Sequence, residues 1–78
     1  MARLNMFKEY GIFRLLKPIG DESIPVGKIG VVLMVYQDPS IAYDVEFVDE
    51  NGRNLGSAPT FTLTEDYMER VQGTDEQS

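Results

Sequence analysis

The sequence predicts an all-β chain folded as a small SH3-like barrel, with about five strands and a one-turn helix before the last strand. Three observations lead there. Short stretches rich in Val, Ile, Phe, Tyr and Thr recur between clusters of Gly, Pro, Asp and Asn. One such cluster, residues 18–27 (PIGDESIPVG), holds two Pro and two Gly and makes a long first loop. No stretch keeps helical periodicity for the length of even one long helix, and a ferredoxin-like arrangement would need two.

Taken in order, residues 10–17 (YGIFRLLK) read as a first strand that stops at Pro18. Residues 28–37 (KIGVVLMVYQ) read as the strongest strand, apolar on both alternating faces. Ile29, Val31, Leu33 and Val35 are expected inward, and Val32, Met34 and Tyr36 form a second, outward set. Residues 38–40 (DPS) break it. In residues 41–48, Tyr43, Val45 and Phe47 alternate inward against Asp44 and Glu46 outward. Residues 49–52 (DENG) form a hairpin turn in which Gly52 supplies a positive φ. A shorter strand follows at 60–63. Thr64 then reads as the N-cap of one helical turn over 65–70, with Met68 and Val71 packing it back onto the sheet. Residues 1–9 are expected as an N-terminal arm, 10–71 as the barrel and 72–78 (QGTDEQS) as a disordered acidic tail.

The 78 residues allow one small core and no more. With no Cys and no His, disulfides, thiolate nucleophiles, Cys-ligated zinc, the usual metal ligand and the usual neutral-pH base are excluded. No metal and no cofactor is expected. A net charge of −6 argues against nucleic acid as a partner. The charge is uneven: residues 1–20 sum to +3, residues 21–64 to −5 and residues 65–78 to −4. No apolar signal segment opens the chain, and its longest apolar run is less than half a bilayer span, so a cytoplasmic location without membrane contact is expected.

Few constellations here carry chemistry. Asp44, Glu46, Asp49 and Glu50 are the densest acidic group, but their alternation with apolar residues places the first two on a solvated face. Gly52 is fourth in its turn, where a calcium loop needs a glycine at the sixth position. Ser and Thr hydroxyls have no histidine to activate them, so no catalytic residue is assigned and the chain is expected not to be an enzyme. Gly27 and Gly30 enter a strand where a phosphate cradle would enter a helix. What stands out is apolar surplus. Val32, Met34 and Tyr36, together with Ile24, Pro25 and Val26 of the first loop, form the candidate interaction surface. The plainer account is a long bent strand that feeds one core from both faces.

The run Tyr10 to Lys17, then Ile24-Pro25-Val26-Gly27-Lys28-Ile29-Gly30-Val31-Val32, Tyr43 to Asp49 and Leu63-Thr64-Glu65-Asp66 together resemble a group of small bacterial proteins, domain-of-unknown-function family 4926. The resemblance covers residues 7–71 and implies an SH3-like fold without an assigned activity. Residues 27–32 are also similar to the turn of nucleic-acid-binding KOW modules, without the basic patches that accompany them. In outline the chain is similar to the SH3-like part of the nitrile hydratase β-subunit as well. Residues 63–71 resemble the end of the plasmid-borne dihydrofolate reductases, SH3-like chains that assemble as tetramers around one pore. Where that family's active strand reads Val-Gln-Ile-Tyr, Thr60, Phe61, Thr62 and Leu63 stand here. The expected function is therefore a non-enzymatic interaction module that self-associates or docks a protein partner. The alternative is an oligomeric ligand-binding protein or enzyme with its site on a symmetry axis.

Overall fold

A computed structural model describes residues 7–71. Its elements are β1 (Ile12–Leu15), β2 (Ile29–Tyr36), β3 (Ala42–Glu46), β4 (Phe61–Leu63), a 3-10 turn (Glu65–Tyr67) and β5 (Met68–Arg70). They form one antiparallel sheet in the order β4-β3-β2-β1-β5. The last strand returns beside the first, which is the strand order of an SH3-like barrel. The long first loop and the hairpin turn fall where the Gly and Pro clusters predict them. In the turn, Gly52 has φ 80° and donates to the Asp49 carbonyl at 3.0 Å.

The core gathers Phe7, Phe13, Leu15, Ile24, Val32, Tyr43, Val45, Phe47, Leu63 and Met68. Tyr43, Val45 and Phe47 point inward as the alternation predicts. The core also takes in Phe7, ahead of the expected barrel start at residue 10. Its backbone N–H donates to the Tyr43 hydroxyl at 3.4 Å, and that hydroxyl donates to Glu65 Oε2 at 2.7 Å. The rings meet edge to face, Phe13 with Phe47 at 5.4 Å and Phe7 with Tyr43 at 5.5 Å. The arm's residues 1–6 and the expected tail 72–78 lie outside the described residues.

Two expectations are corrected. The first concerns which side of β2 faces in. Phe13 pairs with Gly30 and Val32 with Val45, so Gly30 and Val32 are inward and Ile29 and Val31 outward. Between Val32 and Met34 the pairing with β3 slips by one residue, a β-bulge at Leu33. The extra residue switches the phase of everything after it, so Val35 packs on the core while Met34 and Tyr36 turn outward. The strand thus has one inner row, Gly30–Val32–Val35, and one outer row, Ile29–Val31–Met34–Tyr36. The second correction concerns the helical turn expected over 65–70. It ends at Tyr67, because Met68, Glu69 and Arg70 pair with Leu15, Arg14 and Phe13 as the closing strand. Thr64 makes no side-chain cap bond, and its hydroxyl goes to the Asp66 carboxylate instead.

Gly30 is where the core meets the backbone most closely. A Cβ there would lie 2.7 Å from Phe13 ring carbons and 2.8 Å from Phe47, closer than carbon atoms approach. Gly30→Ala should therefore destabilise the fold by about 1–3 kcal/mol, the usual cost of overpacking. Urea unfolding monitored by circular dichroism measures it, and an unchanged midpoint would contradict this packing.

Candidate interaction surface

The six residues expected at the interaction surface divide by burial. Ile24 is 4 % exposed and Val32 is fully buried, so both side chains belong to the core, a correction to their expected surface role. The reason for Val32 is the register just described. Ile24 folds inward from the long loop and shields the barrel's interior. Pro25 and Val26 stay exposed, Val26 at 55 %, and so do Met34 at 48 % and Tyr36 at 40 %. These four do not form one patch. Val26 lies just ahead of the start of β2 while Met34 and Tyr36 lie at its far end, roughly 20 Å away at the usual rise per strand residue.

The outer face of β2 supplies a continuous surface, in which Met34 and Tyr36 stand as expected and Ile29 and Val31 take the place of Val32. Register places Arg14 beside Ile29, Ile12 beside Val31, Glu46 on the other side of Val31, and Asp44 beside Met34. Residues directly opposite in an antiparallel pair share a face. An apolar stripe of Ile29, Val31, Met34 and Tyr36 therefore runs down the middle strand, with Arg14 on its β1 flank and Asp44 and Glu46 on its β3 flank. Asp44 accepts from the Tyr36 hydroxyl at 2.7 Å and from the Thr62 hydroxyl at 2.6 Å. Donating to that carboxylate raises the pKa of the Tyr36 phenol, with desolvation and the Asp44 charge adding to the effect. The bond also pins the ring across the stripe's end. Gly30 in mid-strand was the one sequence signal for this register, because an inward-facing glycine makes room for a ring. The bulge left no such signal.

Other polar groups hold the frame. Asp49 Oδ1 accepts from the backbone N–H groups of Asn51 and Arg53 at 2.8 and 2.9 Å, an Asp-capped turn. Glu22 of the first loop takes both the backbone N–H and the hydroxyl of Ser57, clasping the loop between β3 and β4. Lys17 Nζ bonds Asp66 Oδ2 at 2.6 Å and sits 5.2 Å from the Tyr67 ring centroid. At the positions compared with the reductase strand, Phe61 and Leu63 pack on the core and Thr62 bonds Asp44. Among the described residues no three acidic side chains converge as a metal site, no pocket is formed, and no helix is long and apolar enough to cross a membrane.

The family model for a domain of unknown function, DUF4926, matches residues 9–70, and the chain belongs to that family. The match runs from just before β1 to the end of β5 and so takes in every strand of the described sheet. Neither the curated proteins nor the solved structures include a match to the chain.

The Lys17–Asp66 pair gives a titration to follow. The bond from Lys17, then that from the Thr64 hydroxyl, holds the Asp66 carboxyl down at about 2, below its ordinary 3.8. The bond to Asp66 in turn raises Lys17 above its ordinary value. Because the folded pKa is depressed, the pair's stabilisation is present above the ordinary carboxylate range and is lost as pH falls through about 2. Carboxyl chemical shifts should report a midpoint near 2 for Asp66 that climbs in Lys17→Met. A midpoint indifferent to that substitution would refute the pairing.

Proposed function

We propose that this member of the DUF4926 family works by contact rather than by catalysis, docking protein through the outer face of β2. The observation that carries the reading is the unbroken apolar outer row at the centre of the sheet, with Ile29 at 40 %, Met34 at 48 % and Tyr36 at 40 % exposed. Apolar side chains scattered singly on a surface need no explanation, whereas four in line on a central strand do. Tyr and Met are residue types enriched in interfaces, and the polar groups Arg14, Asp44 and Glu46 border the row as a rim borders an interface core. The composition supports the same direction. Without Cys or His the chain lacks the usual nucleophile and base, and a domain of this size gains from a neighbour that buries more surface.

The reading is tested with the immobilised chain as bait in an extract of the cells it comes from. The wild type should retain a defined protein, itself or another. Ile29→Asp and Met34→Asp, both at exposed positions and so expected to fold normally, should each lose it. Equal retention by wild type and both variants, or retention of nothing by the wild type, would overturn it.

A further inference from the structure

We infer that the occupant of this face is a second copy of the same chain, stacked sheet to sheet about a two-fold axis that runs parallel to β2. The inference rests on the reading of the outer face as a contact surface and adds who covers it. Charge placement on the face favours that occupant. On one flank of the apolar row stands Arg14, with Glu69 beyond it on β5, and on the other stand Glu46 and Asp44. A surface with cation and carboxylate on opposite sides of its own apolar stripe is complementary to itself under the right rotation.

Two in-plane axes could relate the copies. An axis perpendicular to the strands lays β3 over β3 and sets carboxylates against carboxylates. An axis along β2 lays β1 of one copy over β3 of the other. Arg14 then faces Glu46 of the second copy, twice by symmetry, while the apolar rows lie upon each other. Stacked sheets sit about 10 Å apart, and the two-residue offset between Arg14 and Glu46 along the strand adds about 7 Å, a gap two long side chains can span obliquely.

The groups are chemically ready for it. Arg14 uses Nη1 toward Glu69 at 3.2 Å, and a guanidinium carries further donors beyond that one bond. Glu46 has no ion pair or side-chain hydrogen bond among the described residues. Asp44 is already served by two hydroxyls, so Glu46 is the carboxylate with acceptor capacity to offer.

Sedimentation equilibrium over a wide concentration range tests this with the chain itself. Wild type should show a monomer–dimer equilibrium. Arg14→Glu alone and Glu46→Arg alone should each weaken dimerisation about tenfold or more, since each sets like charges face to face twice. An equimolar mixture of the two variants should restore it, because both cross-contacts become opposite in sign. Met34→Asp, which leaves the Arg14–Glu69 pair intact, should abolish the dimer independently. Circular dichroism confirms that each variant is folded. A wild type that stays monomeric throughout, a dimer indifferent to Met34→Asp, or a mixture no tighter than its parts would overturn the second-copy assignment. If the bait still retains a different protein through Met34, the contact reading stands and only the identity of the occupant falls.

Discussion

The missing side chain of Gly30 is the constraint on which the rest depends. Phe13 from β1 and Phe47 from the segment after β3 press their rings into the space a Cβ would fill, within 2.7 and 2.8 Å of where it would stand. Rings can come this close only if Gly30 faces inward. Once it does, alternation places Val32 inward and Ile29 and Val31 outward. The bulge at Leu33 then adds one residue and carries Met34 and Tyr36 to the same outer side. Core and surface are therefore two sides of one decision. The inner row joins Phe7, Tyr43 and Val45, and Ile29, Met34 and Tyr36 of the outer row are left exposed.

Much of this fold was legible beforehand. The clean alternation of 43–47, the breaks at 18–27, 38–40 and 49–52, and the closing turn all follow from local chemistry that acts within a few residues. The facing of β2 was not legible from periodicity, because the strand is apolar on both sides and offers no contrast to read. Val32 is expected at the surface for that reason and Ile24 because it stands in the first loop, and tertiary packing claims both. The end of the helical turn at Tyr67 is a similar case. Nothing local stops a helix at Met68, but pairing with Leu15, Arg14 and Phe13 does. Of the candidate surface, Pro25, Val26, Met34 and Tyr36 were read correctly as exposed. Their separation to opposite ends of β2 depends on three-dimensional distance, which adjacency in the sequence does not report.

Polar chemistry in this barrel is largely given to architecture. Asp49 caps its turn, Glu22 ties two loops, Glu65 receives the hydroxyl of the buried Tyr43, and Asp66 pairs with Lys17 across to the end of β1. The densest acidic group in the sequence thus dissolves into separate roles, with Asp44 and Glu46 flanking the outer row and Asp49 in the hairpin. Their value lies in where they stand relative to Arg14. A chain of net charge −6 nevertheless presents, on this one face, both signs on either side of an apolar strip.

The register of β2 is the claim from which both core and contact surface follow, and the absence of native cysteine makes it directly measurable. Single variants Ile29→Cys, Val32→Cys, Met34→Cys and Tyr36→Cys, each carrying one thiol, can be labelled with a thiol reagent in dilute native solution and again in denaturant. The account predicts that positions 29, 34 and 36 react in the native state nearly as fast as when unfolded. Position 32 should be protected until the protein unfolds. Native labelling at position 32 as rapid as at 34, or protection at 29, would contradict the register and everything built on it.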